Sequence, residues 1–440
     1  MQFAFFILLN AILFIRPAEL IEALAPLQLY QLAILGCLAT SYPGVLSQLG
    51  TESLMKRPLT LCVVGILVAI VLSHLQFASI YDARSSGSEF GKVVLYFLLL
   101  QHNLDAPEKF QKFLNSLVVF TLIAASLALA QYHHFIDIPA LAAYEQREID
   151  EETGEIIVFP RLCGSGIFND PNDVCLMLTI AMMICTYRLL QPGAGPTRFL
   201  WLAPIVVFFL AFIETKSRGG FIALMIALNV LLVSRVGFKK ALPFWLMGAP
   251  VVLVLFGGRM TKIEVEGGTG QHRVQLWREA LGMLREYPLF GVGQGMLAEY
   301  TRLVAHNSYV HAFAELGIFG GSCFISVVYL AISQLKKIQK FAEQITDPEM
   351  RRLGPYLLGI VCGFCAGIMS LSRVYIVPTY MVFGLAAAYV NVVKAQLKPD
   401  ENGESPLPTF NSGLFGKLFG ISIASLLILE FGSRLMVRWE

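Results

Sequence analysis

Charged residues are scarce in this sequence: Asp, Glu, Lys and Arg make up only 15% of its 440 residues. Soluble domains carry about 25%, so a string of soluble domains is excluded. The formal net charge of +2 leaves no positive excess for nucleic acid, and we expect no nucleic-acid partner. The hydrophobic share of 56% and the mean hydropathy of +0.65 indicate an all-α polytopic membrane protein. No linker divides the chain, so residues 1–440 are expected to form a single integral membrane domain.

Redox and metal motifs are also missing. Of the eight cysteines, all but Cys163 lie in apolar runs, where a thiol behaves as a small hydrophobic group. Cys362-Gly-Phe-Cys365 has the spacing of a redox pair, but it lies in such a run, so we interpret it as packing. His306 and His311 are five residues apart and therefore do not share a helical face. We expect no metal site and no cofactor.

Apolar runs of about twenty residues, the length that crosses a bilayer, recur along the chain. The first run has no basic segment before it, so we interpret it as a retained helix. A further run at residues 414–429, within a C-terminal extension of residues 395–440, is long enough to cross as a thirteenth span. We predict twelve transmembrane helices, near residues 2–15, 23–41, 58–76, 87–103, 111–131, 172–190, 198–214, 219–235, 241–257, 308–334, 355–372 and 374–394.

Basic residues cluster in alternate short loops, for example at Lys56-Arg57 and Lys336-Lys337. The positive-inside rule then places the N-terminus inside and the long polar loop of residues 258–305 outside. An acidic stretch at residues 145–155 falls on the same outer side. Irregular polar backbone is tolerated only outside the hydrocarbon or beside a water-filled cavity, so we expect the long loop to carry the function.

Isolated arginines nevertheless occur beside apolar helix ends on the outer face, where the rule disfavours them. The guanidinium group offers a fixed fork of donors that suits phosphate. Several of them together predict a site for an anionic lipid headgroup, although each alone could cap a helix or reach the interface as a snorkelling side chain. These residues are Arg84, Arg161, Arg218, Arg273 and Arg373.

The long loop itself has two recognisable parts. Val274, Trp277, Leu281 and Leu284 recur at helical spacing, which predicts an amphipathic helix on the outer surface that ends before Pro288. The turn Gly291-Val-Gly-Gln-Gly295 follows. It is no dinucleotide fingerprint, because neither a strand nor a βαβ unit accompanies it.

Three further polar motifs lie at predicted helix starts. In Lys216-Ser217-Arg218-Gly219-Gly220 the glycines permit close backbone approach and the helix start favours an anion. In the segment 161–172, Asp170 precedes proline and is a candidate N-cap. His306 opens a helix at the arginine-rich outer surface, where a general base would be useful.

These motifs together resemble the superfamily of O-antigen ligases and Wzy-type polymerases. The resemblance rests first on His306-Asn307, nine residues, and then Gly317-Ile-Phe-Gly320. The Ser217-Arg218-Gly219 turn is similar to an outer-turn motif of the family. Arg273 with Trp277 and the run Pro288-Leu-Phe-Gly-Val-Gly293 resemble its large periplasmic loop, here residues 258–305. Residues 161–172 resemble its Gly-x-Phe-x-Asn-Pro-Asn segment.

The resemblance implies an inverting, metal-independent glycosyltransferase with a GT-C-like helical architecture in the bacterial inner membrane. Its active site would face the periplasm, where it would move a glycan from an undecaprenyl-diphosphate carrier to a hydroxyl of the lipid A-core or another surface acceptor. Membrane lipids are further expected partners. Asp170 departs from the usual Asn-Pro-Asn lead and the loop is smaller than in many ligases, so a polymerase remains the alternative.

The resemblance also implies roles for single residues. His306 would act on the acceptor hydroxyl, and Arg218 and Arg273 would bind the diphosphate. A transporter of lipid-linked glycans is the rival from another class, but transporters often carry inverted repeats and broken helices, and the sequence shows no internal repeat. The expected substrate-binding residues are Arg161, Asn172, Ser217, Asn307, His311 and Arg84.

Overall fold

The computed structural model describes residues 1–149, 156–243, 268–398 and 406–437. Its first helices are α1 (Gln2–Ile15), α2 (Pro17–Leu20), α3 (Leu29–Gln48), α4 (Thr51–Lys56), α5 (Pro58–Leu75), α6 (Ile80–Asn103), α7 (Pro107–Tyr132), α8 (Pro171–Leu189), α9 (Leu202–Glu214) and α10 (Arg218–Val236). The later helices are α11 (Gly268–Glu286), α12 (Leu297–Thr301), α13 (Ser308–Lys340), α14 (Pro348–Gly367), α15 (Val377–Lys394) and α16 (Ser412–Met436).

Among the described residues, eleven helices are long and apolar enough to cross a membrane. The predicted all-α polytopic fold is therefore confirmed. The run at 414–429 is one of the eleven, as part of α16. The predicted span at 87–103 is helical within α6, but α6 is not among the eleven. The predicted span at 241–257 lies, apart from its first three residues, outside the described residues.

A short β-hairpin interrupts the helices, and the sequence analysis did not predict it. Strand β1 (Tyr144–Ile149) pairs antiparallel with β2 (Ile156–Arg161), with Tyr144 opposite Arg161. The second strand opens Ile-Ile-Val-Phe, and β-branched and aromatic residues favour the extended backbone. The acidic stretch therefore belongs partly to a hairpin that ends in Arg161.

The chain divides into two compact units, each assembled from several stretches of sequence. Unit 1 contains Met1–Tyr42, Asn103–Val230 and Cys362–Gly367. Its helices α1, α7, α8 and α9 pack against one another, and Phe6 of α1 lies 5.3 Å from Phe113 of α7, measured between ring centroids. The first helix is thus part of this core.

Unit 2 contains Pro43–His102, Leu231–Val361 and Ile368–Glu440. Its central element is α13, which packs against α5, α11, α15 and α16. The helix is broken at Gly317, whose backbone is left-handed (φ 64°, ψ −164°). This break divides α13 into a short first part, which carries the polar motif, and a long apolar second part.

Candidate functional site

In unit 1, Arg161 joins three separate segments. Its Nε donates to the Thr215 carbonyl oxygen at 2.8 Å, its Nη1 to Gln146 Oε1 at 2.7 Å and its Nη2 to Asn172 Oδ1 at 3.1 Å. The side chain is buried, with 8% of the residue exposed. Because this buried guanidinium group donates to all three segments, it fixes the hairpin, the start of α8 and the turn before α10 relative to one another.

The same network fixes the turn that carries Arg218. Ser217 Oγ donates to Asn172 Oδ1 at 2.6 Å and accepts from the Gly220 backbone N–H at 3.0 Å. Arg218 itself is partly exposed, and its guanidinium has no hydrogen-bond or ion-pair partner within the described residues. Arg161 and Ser217 therefore position a cation whose donors remain open to a ligand.

The start of α8 is built as the sequence predicted. Asp170 is the N-cap, and its Oδ1 accepts from the Asn172 backbone N–H at 2.8 Å. Just before it, Gly166 has a left-handed backbone (φ 57°), and a Cβ there would lie 2.0 Å from Arg16 Nε. Gly166 thus lets Arg16 lie directly against this loop, a contact that no sequence motif indicated.

Cys163 lies in the same loop and is buried. Burial raises the pKa of its thiol to about 11, with the backbone at Tyr144 and the charge of Arg161 acting weakly in the opposite direction. The group is therefore a neutral thiol at physiological pH and has little nucleophilic character.

In unit 2, the predicted histidine motif forms the N-terminus of α13. Asn307 is fully buried and caps the helix, with Oδ1 accepting from the backbone N–H groups of Tyr309 and Val310. His306 stands just before this cap, partly exposed and with a left-handed backbone (φ 48°). A histidine in that conformation needs support from its neighbours.

Both flanks of His306 provide that support. Trp277 Nε1 of α11 donates to the Ala305 carbonyl oxygen at 2.7 Å. On the other side, Ser308 Oγ donates to the Leu371 carbonyl oxygen at 2.6 Å and accepts from the Arg373 backbone N–H at 2.9 Å. Arg373 therefore lies beside the start of α13, a position that the sequence could not assign to it.

Helix α11 is itself held by the last described helix. Its apolar face packs against α13 within unit 2, with Ala280, Leu281 and Trp277 in one cluster with Val310 and Phe313. Beside this face, Glu430 Oε1 of α16 accepts from Arg278 at 2.7 Å, Arg285 at 2.9 Å and Arg434 at 2.7 Å. The predicted amphipathic helix is present, and its apolar face is covered by protein.

One turn into α13, His311 and Glu315 form a buried pair. His311 Nε2 lies 2.9 Å from Glu315 Oε1, and the two residues are 6% and 1% exposed. The Leu297 backbone N–H approaches the same oxygen at 3.3 Å, and the Tyr375 ring lies 5.7 Å from the imidazole. His311 is thus directed into the protein. The i,i+4 spacing of the two residues could have revealed the pair.

The two glycine motifs of the loop and of α13 interlock. Residues 288–293 run along the broken part of α13 and exchange backbone hydrogen bonds with it in both directions. The N–H groups of Val292 and Gly293 donate to the carbonyl oxygens of Ala314 and Glu315. In return, the N–H groups of Ile318 and Phe319 donate to the carbonyl oxygens of Pro288 and Leu289. A Cβ on Gly291 or on Gly317 would lie 2.4 Å from the backbone carbonyl carbon of the opposite segment. The backbones can approach this closely only because both positions lack a side chain.

The predicted site residues therefore fall into two groups. Unit 1 brings Arg161, Asn172, Ser217 and Arg218 together. Unit 2 brings His306, Asn307 and His311 together on one helix start, with Arg273 partly buried on α11, four residues before Trp277. Arg84 is exposed on α6, and its side chain has no hydrogen bond or ion pair among the described residues.

These features define a multi-pass helical membrane protein in which a fixed polar loop ends at a histidine, directly before a long helix. Residues 203–325 match the family model described as O-Antigen ligase, a segment that includes the Arg218 turn, α11 and the first half of α13. The resemblance to the O-antigen ligase family that was found in the sequence is thereby confirmed over this segment. None of the curated proteins matches the chain.

Proposed function

We propose that this protein is a glycosyltransferase that moves a glycan from an undecaprenyl-diphosphate carrier to an acceptor hydroxyl at the periplasmic face of the bacterial inner membrane. The observation that carries the proposal is the state of His306. Its backbone is held on both flanks, by Trp277 through Ala305 and by Ser308 with Arg373, while the residue stays partly exposed. A fixed, reachable imidazole suits a general base.

The reaction assigned to this site is a single inverting displacement. The acceptor hydroxyl oxygen attacks the anomeric carbon, and its proton passes to the His306 imidazole. The bond from that carbon to the diphosphate oxygen breaks, and the undecaprenyl diphosphate leaves with the electron pair. Because negative charge grows on the leaving group, cations that meet it stabilise the transition state more than the ground state.

Arg218 is the strongest candidate for such a cation. Its guanidinium is partly exposed, has no partner within the described residues, and starts a helix whose first N–H groups also favour an anion. We assign Arg273 the same task on α11. Asn172, Ser217 and Arg161 hold the turn before Arg218, and Asn307 caps the helix behind His306, so these four act by positioning.

The test is an in vitro transfer assay with purified protein, carrier-linked glycan and an isolated lipid A-core acceptor, run with and without a chelator. His306→Ala is expected to lower the rate by at least about 100-fold, the lower end of what general-base catalysis supplies. His272→Ala removes an exposed histidine on α11 and should leave the rate unchanged. Full activity in His306→Ala would remove the proposed base, and loss of activity with chelator alone would show a metal requirement.

The acceptor is tested by the intermediate that accumulates in cells without this protein. A ligase is expected, so carrier-linked polymer of normal length should accumulate while the lipid A-core remains unmodified. Accumulation of single carrier-linked repeats would instead indicate a polymerase. Both results are compatible with the proposed transfer reaction, provided that the purified protein transfers the glycan. They differ only in the acceptor that they indicate.

A further inference from the structure

A large groove runs between α13 and α16 in unit 2. It encloses about 1000 Å³, a volume at the upper end of what small-molecule pockets offer. Apolar side chains of both helices form its walls, among them Ile325, Val328, Ile332, Ile421 and Ile428. Both helices belong to the set that can cross a membrane, so the groove faces an environment of lipid chains.

One end of the groove is strongly basic. Lys336, Lys337 and Lys340 line it there and occupy little more than one turn of α13, because four residues of helix rise only about 6 Å. All three are exposed, and within the described residues none has a hydrogen bond or an ion pair. Lys417 of α16 adds a fourth cation near this end, over the ring of Tyr329 at 5.5 Å.

The lining of the groove contains no compensating charge. None of the residues that the structure shows along the groove is Asp or Glu. Two lysines at other helix ends in the described chain do have acidic partners: Lys56, at the end of α4, pairs with Glu52, and Lys109, near the start of α7, pairs with Asp105. The positive-inside rule accounts for lysines at this end of α13, but it does not account for their convergence on one cavity without a partner.

We infer that the groove binds an anionic phospholipid, with its phosphate at Lys336, Lys337 and Lys340 and an acyl chain between α13 and α16. Basic pockets between transmembrane helices recognise such headgroups, and the apolar walls match the chain. The basic end of the groove lies at the opposite end of α13 from His306, whereas Tyr309 and Met369 line its other end. The inference does not depend on the proposed transfer reaction.

The experiment is native mass spectrometry of the full-length protein purified in detergent, with phosphatidylglycerol and phosphatidylcholine of identical chains added in equal amounts. Wild-type protein should retain phosphatidylglycerol preferentially. The triple variant K336Q/K337Q/K340Q should bind it about 100-fold more weakly, since each lysine near an anionic headgroup contributes about a fivefold factor. Equal retention of the two lipids by wild-type protein would overturn the inference.

Two controls separate the site from general charge and from a bare anion site. The variant K112Q/K239Q/K240Q removes the same charge from exposed lysines outside the groove and should bind as wild type does. Val328→Trp should fill the apolar groove and displace the lipid, whereas Val206→Trp, at an exposed position of α9, should not. An equal loss in the control triple variant, or full displacement by inorganic phosphate, would contradict a phospholipid site.

Discussion

At the scale of residues, two arginines that the sequence could not tell apart are in opposite states. Arg161 is buried and donates hydrogen bonds to Thr215, Gln146 and Asn172. Arg218 is partly exposed and has no partner in the described part of the chain. The first is therefore suited to hold the site together, and the second to meet a substrate.

Lysine replacements should separate these two roles. Arg161→Lys cannot reach three acceptors from one ammonium group, so it should lower the stability by about 2–4 kcal/mol through lost charge-assisted hydrogen bonds. Arg218→Lys should leave stability unchanged and remove most of the transfer activity. Apparent melting temperature and transfer rate, measured on the same preparations, check both. An Arg218→Lys variant with wild-type rate would contradict the assignment of a phosphate-binding arginine.

At the scale of elements, the glycines of the loop and of α13 form one structure. The pairing of residues 288–293 with the broken part of α13 replaces hydrogen bonds that the helix loses at Gly317. Backbone groups need such partners wherever water is excluded. The interlock therefore fixes the long loop to the helix that carries His306.

Substitutions of glycine test this interlock. Gly317→Ala should destabilise the protein strongly, because the new Cβ would meet the backbone of Leu289 at 2.4 Å and the left-handed backbone disfavours a side chain. Gly282→Ala on α11 is the matched control: nothing lies within 4 Å of its Cβ position, and alanine favours a helix by about 1 kcal/mol. Thermal unfolding in detergent should show a large decrease in apparent melting temperature for Gly317→Ala and no decrease for Gly282→Ala.

Much of this arrangement could be predicted from the sequence. The period of Val274, Trp277 and Leu281 predicted α11, and Asp170 was identified as a cap, because both depend on local spacing. The pairing of Gly291 with Gly317, the partners of Arg161 and the place of Arg373 depend on contacts between distant segments. Such contacts have no local signal. The hairpin was missed because a short strand pair beside acidic residues resembles a polar loop.

The connection between α11 and α16 supports another prediction. Glu430→Gln removes the carboxylate that Arg278, Arg285 and Arg434 share, so α11 should become more mobile. Backbone amides of residues 271–286 should then exchange hydrogen faster, and transfer should decrease because Trp277 no longer holds Ala305 firmly. Glu279→Gln, an exposed position on α11, is the control and should change neither. Unchanged exchange in Glu430→Gln would show that the apolar face alone fixes the helix.

At the scale of the whole molecule, the proposed function depends on which side of the membrane the loop faces. Leu303, in the loop before His306, and Glu343, after the far end of α13, are both exposed. In a variant without native cysteines, Leu303→Cys should react with an impermeant maleimide added from the periplasm. Glu343→Cys should react only after the cytoplasm is opened. The reverse pattern would place the histidine on the wrong side for a periplasmic donor.

The contact between Glu430 and Arg278 joins residues 152 positions apart, and this has a consequence for how the protein matures. A ribosome releases α11 long before it makes α16, so during insertion the loop beside His306 lacks the helix that anchors it. The reactive arrangement is completed only when α16 has entered the bilayer. If the protein has the proposed function, partly inserted chains are therefore expected to be inactive in transfer.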